Sequence, residues 1–301
     1  MATMPVARRS RGRLMSRNTV VGWSFLLPNF IGFGIFTFIP VGLLFYYAFT
    51  DWNVFTGAEW SGLDNFSRLL NDSSFWTALR NTFYYSIFHI PLTLGASLAL
   101  ALLLNRKMRG VAFFRTAAFF PYITSIVAIA QVWNMLFSPS FGPINEIIRA
   151  FGVDNPPGWT SSANWSMPAV IIVGVWREMG YYMLLILAGL QTVPAQLYEA
   201  ARVDGANAWW QFRAVTLPGL RPTMFFVTVM LTIGSLKVFD LILVMTDGGP
   251  GQSTLVLTQY IYQKGFKEQE FGYASAISIV LFGICLAVTV VQFLVNKRKD
   301  A

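Results

Sequence analysis

The segment "EAARVDGANAWWQFRAVTLPGLRP", residues 199–222, lies between two long apolar segments of the chain. It contains charged residues, a central glycine at Gly205, two adjacent tryptophans and a closing Leu217-Pro218 pair. Its first half is rich in strong helix formers, and glycine and proline commonly mark the ends of helices. The segment therefore predicts ordered helical structure in a polar loop between two apolar segments.

The loop that contains this segment is expected to form two short helices that meet at a glycine. Pro194 suits the first turn of the first helix, and Thr192 is placed to cap it. Asp204-Gly205 ends that helix, because glycine readily adopts the left-handed conformation of a helix C-terminus. Asn207 caps the second helix, "AWWQFRAV", which is expected to stop at Pro218.

One face of the first helix is suited to close packing. Leu197, Ala200 and Ala201 share this face, and the alanines are small enough to let another surface approach closely. Glu199 and Arg202 are three positions apart, so they can pair with each other or with a partner. On the residues alone, the loop also fits a solvated helical hairpin at a membrane surface.

The composition of the whole chain is that of a membrane protein. Of 301 residues, 55% are hydrophobic and 12% are charged, where a soluble domain carries about a quarter charged residues. Mean hydropathy is +0.53 and the formal net charge is +8. The single cysteine, Cys285, and the single histidine, His89, exclude a disulfide framework and a multi-Cys/His metal site. Both lie in apolar runs, and we interpret them as packing residues.

Six segments are apolar over the roughly 20 residues that a membrane helix needs. These segments are 22–48, 83–105, 116–137, 167–191, 222–246 and 274–295. They predict one all-α transmembrane domain, 22–295, between a basic tail, 1–21, and a short tail, 296–301, with the polar loop at 193–221. Arginines precede the first segment without a cleavage site after a short core, which is typical of a retained membrane anchor.

Basic residues alternate between rich and poor loops, and this pattern predicts orientation. Fifteen fall on one face and five on the other. The first group is Arg8, Arg9, Arg11, Arg13, Arg17, Arg106, Lys107, Arg109, Arg115, Arg202, Arg213, Arg221, Lys297, Arg298 and Lys299. The second is Arg68, Arg80, Arg149, Lys264 and Lys267. The positive-inside rule then places both termini and the loop 193–221 in the cytoplasm.

Two loops on the opposite face carry further patterns. "GLDNFSRLLNDSSFWTAL", residues 62–79, predicts a short amphipathic helix that lies flat at the interface or docks another protein. "MTDGGPGQSTLVL", residues 245–257, is rich in glycine, but no lysine follows as a phosphate-binding loop requires. We interpret it as a turn before an apolar stretch, with gating of an outer cavity as a second hypothesis.

The polar loop and several other phrases resemble the permease subunits of binding-protein-dependent ABC importers. The family pattern is E-A-A, three residues, Gly, nine residues, an aliphatic residue, one residue and Leu-Pro. It falls on Glu199, Ala200, Ala201, Gly205, Val215, Leu217 and Pro218, with Val in place of the commoner Ile. "FTDWNVF", "NTFYYS", "FRTAAFFPY", "LLILAGLQTVP" and "QYIYQKGF" look like the sugar-transporting branch, and within it the first of two permease subunits.

This resemblance implies a mechanical role for the loop. In the family, the E-A-A helix sits in a groove of a cytoplasmic ATPase, where its glutamate meets a basic residue; Glu199 has that position here and Gly205 is the elbow. The coupling residues that the resemblance implies are Glu199, Ala200, Ala201, Asp204, Gly205, Leu217 and Pro218. The chain has no Walker A motif, so the ATPase is expected to be a separate polypeptide.

The resemblance also implies the chain's surroundings. It implies a prokaryotic cytoplasmic (inner) membrane, a homologous second permease, two ATPase subunits and an extracytoplasmic solute-binding protein. ATP and Mg²⁺ would belong to the ATPases, and this chain would bind no cofactor or metal, perform no covalent chemistry and contact no nucleic acid.

Four ionisable residues lie inside the predicted spans, namely Arg177, Glu178, Lys237 and Asp240. Each costs roughly 2.5–3.5 kcal/mol at the centre of a membrane helix, so they are expected to be off-centre, paired or facing water. Lys237 and Asp240 are three apart and can pair on one helix face, whereas Arg177 and Glu178 project about 100° apart. One interpretation is structural ion pairs or contacts with a second permease.

The other interpretation is a polar lining for a solute path. Aromatic rings lie beside these charges, and ring faces with a few polar groups suit a sugar. The candidates are Trp176, Arg177, Glu178, Tyr181, Tyr182, Lys237, Phe239 and Asp240. Only Arg177 and Lys237 could serve a phosphate ester, which favours neutral sugars over a glycerol phosphate-type solute.

Two other classes of protein fit the sequence less well. An ion-coupled secondary transporter would use the intramembrane charges but would need no E-A-A loop, and no inverted repeat is apparent. An intramembrane enzyme with Ser235 and Lys237 as a dyad is disfavoured, because side chains two apart on a helix face away from one another.

Overall fold

The computed structural model describes residues 11–53, 57–106 and 108–300. Arg8, Arg9 and Lys107 of the charge pattern lie outside this part. The helices of the first half are α1 (Arg11–Phe33), α2 (Ile39–Ala48), α3 (Asp64–Asn71), α4 (Ser73–Leu104), α5 (Val111–Ile123), α6 (Ile126–Leu136) and α7 (Pro143–Ala150). Between α2 and α3, strands β1 (Thr50–Asn53) and β2 (Gly57–Trp60) form an antiparallel hairpin.

The second half continues with eight further helices. They are α8 (Ala163–Thr192), α9 (Ala195–Val203), α10 (Ala208–Gln211), α11 (Leu217–Gly219), α12 (Arg221–Leu236), α13 (Asp240–Met245), α14 (Leu257–Tyr262) and α15 (Phe271–Asp300). Short π-helical segments join α1 to α2 at Gly34–Phe38, α10 to α11 at Phe212–Thr216, and follow α14 at Gln263–Lys267.

Among the described residues, four helical segments are long and apolar enough to cross a membrane. They are Val21–Ala48, α4, α8 and Phe271–Lys297 within α15. Two bent helix pairs pass the same test, α5 with α6 at 98°, and Ala208–Gly219 with α12 at 67°. The described residues therefore have a mostly helical, membrane-type fold with four candidate spans, or up to six if each bent pair is one span.

Several predicted limits differ from the structure. The helix that was predicted to begin at residue 83 begins at Ser73. Residues 11–21, predicted as a tail, are helical from Arg11, and α15 continues to Asp300 through most of the predicted C-terminal tail. Hydropathy marks only the apolar part of a helix, so it misses polar turns at either end.

Two predicted spans are not continuous helices. Residues 116–137 divide into α5 and α6, because Thr124 and Ser125 are extended between them. The predicted span 222–246 is also wrong as one helix, since α12 ends at Leu236 and α13 begins at Asp240. At this second break, Thr258 Oγ1 donates a hydrogen bond to the carbonyl of Val238, which compensates a backbone group freed inside the fold.

The packed centre of the molecule is formed by α8 with α4, α5 and α12 against it. Half of the apolar window of α8 is buried, whereas none of the corresponding window of α1–α2 is buried. Gly180 lies against the backbone of α5, because a Cβ atom there would lie 1.8 Å from the carbonyl oxygen of Ala118. A glycine at this position therefore sets the contact between the two helices.

The loops predicted on the outer face are tied together around Asp72. Its side chain caps α4 by accepting from the Ser74 N–H at 2.9 Å, and it accepts hydroxyl hydrogen bonds from Tyr273 at 2.5 Å and from Tyr260. Burial alone would raise the pKa of Asp72, but these hydrogen bonds stabilise the carboxylate and lower its pKa. The carboxylate thus joins α4, α14 and α15 at one end of the fold.

Both sequence patterns in the loops predicted on the outer face correspond to elements of the structure. Residues Asp64–Asn71 form the predicted short helix, α3, in which Leu69 is buried and Leu70 is exposed. Residues 245–257 form turns followed by the buried stretch Leu255–Leu257. Asn81 of α4 holds these turns by donating to the carbonyls of Gln252 and Leu255 at 2.8 and 2.9 Å.

Candidate functional site

The polar loop forms two helical segments on either side of a glycine. The first, α9, ends at Val203, and Gly205 follows with φ +77°, a left-handed conformation that costs a side-chain-bearing residue about 1–2 kcal/mol. Asn207 then caps α10, since its side chain accepts from the Trp210 N–H at 3.0 Å. Local sequence alone thus accounts for the elbow.

Both outer ends of the loop differ from the prediction. Pro194 occupies the N-cap position of α9, and Thr192 does not cap it but donates to the carbonyl of Gly189 at 2.8 Å. The second helix does not stop at Pro218, because this proline lies in the first turn of α11, where no N–H donor is needed. The helix instead reaches Gly219 and bends by 67° into α12.

The surface of the loop is exposed and partly apolar. No residue of α9 is buried, and the side chains of Val203 and Trp209 are 88% and 63% exposed. Glu199 is exposed and forms no ion pair with any described residue, since Arg202 donates to the Tyr198 carbonyl instead. The other residues that the motif singles out vary in exposure: Ala200, Asp204, Gly205, Leu217 and Pro218 are exposed and Ala201 is half-buried.

Beneath this surface the loop is braced by its own hydrogen bonds. The hydroxyl of Tyr198 in α9 lies 3.0 Å from Thr216 Oγ1, close to the start of α11. Gln211 at the end of α10 donates to the Ala206 carbonyl at 2.8 Å, just after the elbow. The two helical segments are therefore held to each other and, through the bend at Leu220, to α12.

A cavity of about 160 Å³ lies where α4, α8 and the break between α12 and α13 meet. Its polar and aromatic lining includes His89, Arg177, Glu178, Ser235, Lys237, Phe239 and Asp240. Five of the eight predicted path residues, the four charged ones and Phe239, are thus brought together. His89 lies halfway along α4, and Glu178 halfway along α8, so the cavity is at the middle of both helices.

The charged groups of the cavity form a short chain of contacts. Glu178 Oε1 lies 3.6 Å from Arg177 Nη1, so these long side chains meet despite the divergence that was predicted for adjacent residues. Glu178 Oε2 lies 3.7 Å from His89 Nε2. Lys237 and Asp240 form no ion pair with each other, because the break after Leu236 removes the helical spacing on which that prediction relied.

Three predicted path residues do not line the cavity. Trp176 packs edge-on against Trp133 with ring centroids 5.4 Å apart, beside a separate apolar groove of about 370 Å³ at the bend of α5 and α6. Tyr181 stacks on Tyr122 at 4.3 Å, and Tyr182 is buried in the core. Tyr122 in turn faces the Arg177 guanidinium, 5.3 Å from its ring centroid.

His89, Tyr122 and Ser235 were not identified as site residues from the sequence. His89 is buried with 1% exposure, as its interpretation as a packing residue requires, but its Nδ1 lies 2.9 Å from Ser235 Oγ. Ser235 contacts this histidine rather than Lys237, which removes the basis for a dyad. The one signal in the sequence for His89 was its position as a lone polar residue within an apolar run.

The fold and the site are those of a membrane transport component. Residues 91–301 match the family model for the inner membrane component of binding-protein-dependent transport systems, so the chain belongs to this family. It is a multi-pass inner-membrane permease subunit and not an enzyme. Among the described residues, no group of three or more His, Cys, Asp or Glu side chains is placed to hold a metal ion.

Relatives extend over nearly the whole chain. The lactose transport system permease protein LacF of Rhizobium radiobacter is 36% identical over 305 residues, with 98% of this chain and 100% of the relative covered. The diacetylchitobiose uptake system permease protein NgcF of Streptomyces coelicolor is 33% identical over 309 residues, covering 97% and 88%.

A solved structure has the same fold. A bacterial ABC transporter involved in the import of the acidic polysaccharide alginate has a chain that matches with a TM-score of 0.84 and 27% identity, covering 95% of this chain and 99% of its own. A second structure of a bacterial alginate transporter, in complex with an alginate pentasaccharide-bound periplasmic protein, matches with a TM-score of 0.83 and 25% identity, covering 96% and 98%.

Proposed function

We propose that this chain is the transmembrane permease subunit of an ATP-driven importer for a sugar or oligosaccharide. It forms the translocation path with a second, homologous permease, and it couples to a separate ATPase through the loop 193–221. One observation carries the proposal: an exposed helix with the E-A-A pattern is braced to Thr216, just before α11. The chain then passes through the 67° bend into α12, whose far end reaches the polar cavity.

In this proposal α5 with α6 counts as one span and α12 with α13 counts as another, so the chain crosses the membrane six times. Residues 22–295 form the transmembrane domain, and 1–21 and 296–301 belong to the cytoplasmic side. The loop 193–221 is cytoplasmic as well, and its basic residues Arg202, Arg213 and Arg221 support this orientation.

The coupling helix α9 docks on one of two cytoplasmic ATPase subunits, which hold ATP and Mg²⁺. The support is physical: Val203 and Leu197 expose apolar surface, and Glu199 has no partner among the described residues. Exposed apolar side chains beside an unpaired charge are typical of a docking surface. Glu199, Ala200, Ala201, Asp204 and Gly205 form this contact, and Leu217-Pro218 joins it to α12.

The solute passes the cavity between α4, α8 and α12–α13. Two cations, Arg177 and Lys237, share the cavity with two carboxylates, Glu178 and Asp240, so its charge is balanced. A phosphate ester would meet both carboxylates, which disfavours a glycerol phosphate-type solute. The relatives named for lactose and diacetylchitobiose, together with the alginate transporters, support a sugar.

The proposed solute path also depends on a protein outside the membrane. An extracytoplasmic solute-binding protein delivers the sugar, as the family description and the complex of the alginate transporter with its periplasmic protein suggest. Trp176, Tyr181 and Tyr182 lie outside the cavity and contribute to packing around it.

The test is reconstitution of this chain with its second permease, ATPase and solute-binding protein in proteoliposomes. We expect uptake of lactose, maltose or diacetylchitobiose that requires both ATP and the binding protein, and no uptake of glycerol 3-phosphate. Sugar uptake driven by an ion gradient without ATP would instead identify a secondary transporter. Uptake of glycerol 3-phosphate alone would overturn the assignment of the solute.

A further inference from the structure

His89 lies where three helices meet at the cavity. The residue belongs to α4, its hydrogen-bond partner Ser235 to the last turn of α12, and its neighbour Glu178 to α8. The imidazole is stacked on Tyr85 with ring centroids 4.8 Å apart and an interplanar angle of 15°. Packing and one hydrogen bond therefore fix the position of the ring.

The two ring nitrogens are in different environments. Nδ1 is 2.9 Å from Ser235 Oγ, whereas Nε2 has no hydrogen-bond partner among the described residues. Nε2 lies 3.7 Å from Glu178 Oε2, which is beyond hydrogen-bond distance. A histidine buried only for packing normally has its polar atoms bonded, so this open nitrogen beside a carboxylate needs an explanation.

The separation of these two atoms fits one bridging oxygen. An oxygen about 2.8 Å from both Nε2 and Oε2 satisfies ordinary hydrogen-bond lengths on each side. When the Ser235 hydroxyl donates to Nδ1, Nε2 carries the proton and becomes a donor, while the Glu178 carboxylate accepts. A hydroxyl group, which accepts one hydrogen bond and donates another, matches this pair.

Gly174 lets the backbone of α8 approach the imidazole closely. A Cβ atom at this position would lie 3.1 Å from His89 Nε2 and 2.7 Å from the Tyr85 hydroxyl. Any larger residue there would therefore press on the imidazole from the α8 side. The glycine, the oriented imidazole and the carboxylate together form a small polar corner of the cavity.

We propose that His89 Nε2 and Glu178 Oε2 together bind one hydroxyl group of the transported sugar. His89 is then a specificity-determining residue, and Ser235 is a positioning residue that sets the tautomer. The proposal rests on the proposed function, since it requires that the solute enters this cavity. The nearby carboxylate excludes an anionic group at the same corner, because like charges repel.

The experiment compares two substitutions that each keep one nitrogen. His89→Asn places an amide near the Nδ1 position and loses the group at Nε2, whereas in His89→Gln the amide reaches the Nε2 position. The reconstituted complete transporter is assayed with the sugar that it transports among lactose, maltose and diacetylchitobiose, and with the set of its monodeoxy analogues. Each variant is compared with the original chain for the same sugar, so the preference of the binding protein cancels.

We expect His89→Asn to lower uptake of the parent sugar by up to about tenfold, as for the loss of one neutral hydrogen bond, and His89→Gln to restore most of it. For one deoxy analogue, His89→Asn and the original chain should transport equally well. If His89→Asn and His89→Gln lose the same fraction of uptake for every analogue, His89 has a structural role only and the proposal is overturned.

A third variant is used if the first does not assemble into the transporter. If His89→Asn does not co-purify with the ATPase, Ser235→Ala is assayed instead, and a smaller loss confined to the same deoxy position supports the proposal. A loss that is the same for all analogues contradicts it. Absence of ATP-dependent sugar uptake by the original complex would count against the proposed function itself, which is a separate result.

Discussion

The loop 193–221 and the membrane cavity differ in how the chain builds them. The loop is contiguous in sequence, exposed, and braced by hydrogen bonds between near neighbours such as Tyr198 and Thr216. The cavity collects residues from α4, α8 and α12–α13, and the His89–Ser235 contact alone joins positions 146 residues apart. A surface that docks a partner can be encoded locally, whereas a polar site inside a helical bundle requires the whole packing.

Substitutions in the loop should have the largest effect on transport and little effect on the permease itself. We expect Glu199→Lys to reduce uptake about 100-fold or more, because reversing one member of a docked charge pair costs roughly 3 kcal/mol. Gly205→Leu should act similarly, since φ of +77° strains a bulky residue. The measurements are sugar uptake by cells and co-purification of the ATPase.

The matched control for this prediction is Gln196→Ala, an exposed position on α9 outside the motif. It should transport normally. Both motif variants should still insert into the membrane at normal levels, and normal uptake with Glu199→Lys and Gly205→Leu together would refute the coupling role of the loop.

Substitutions in the cavity should have a smaller effect that depends on the solute. We expect Glu178→Ala and Asp240→Ala each to lower sugar-stimulated ATPase activity about tenfold, because each removes a charged hydrogen-bonding group from the path. Glu59→Ala removes an exposed carboxylate of β2 that does not line the cavity, and it serves as the control. Unchanged stimulation in both cavity variants would show that the solute passes elsewhere.

The smallest expected effect is on the free energy of unfolding. It should differ between a glycine packed against another helix and a glycine with no neighbour. Gly180→Ala, two residues from Glu178, should destabilise the permease by about 1–3 kcal/mol, because its Cβ would overlap the Ala118 carbonyl of α5. Gly283→Ala in α15 should not, since nothing lies within 4 Å of that Cβ. Thermal unfolding in detergent measures the stability of both variants. Equal unfolding midpoints would mean that α5 can move away from the added methyl group without loss of stability.

The contrast between the two regions also explains what the sequence could predict. Gly205 and Asn207 were assigned correctly as elbow and cap, because each acts on the backbone of its immediate neighbours. The breaks after Ile123 and Leu236 were missed, because an average of hydropathy over a window does not register two or three extended residues. Lys237 was a local signal of the second break, but it was interpreted as a charge within a continuous helix.

The polar corner of the cavity could not be predicted from one sequence. Nothing near His89 along the chain identifies Ser235 or Glu178 as its neighbours, because those contacts depend on how α4, α8 and α12 pack. The four charged path residues, which all line the cavity, were found through their cost in lipid, which is a property of single residues. Their aromatic neighbours were chosen by proximity in sequence, and three of them face elsewhere.

Because α12 begins at a 67° bend, a small rotation at the bend moves the far end of this helix by a larger distance. Its 16 residues span about 24 Å from Arg221 to Leu236. A tilt of about 10° at the bend would displace the far end by about 4 Å on that length, more than the reach of a hydrogen bond. A modest rotation at the bend would thus be enough to separate Ser235 from His89 and to reshape the wall of the cavity.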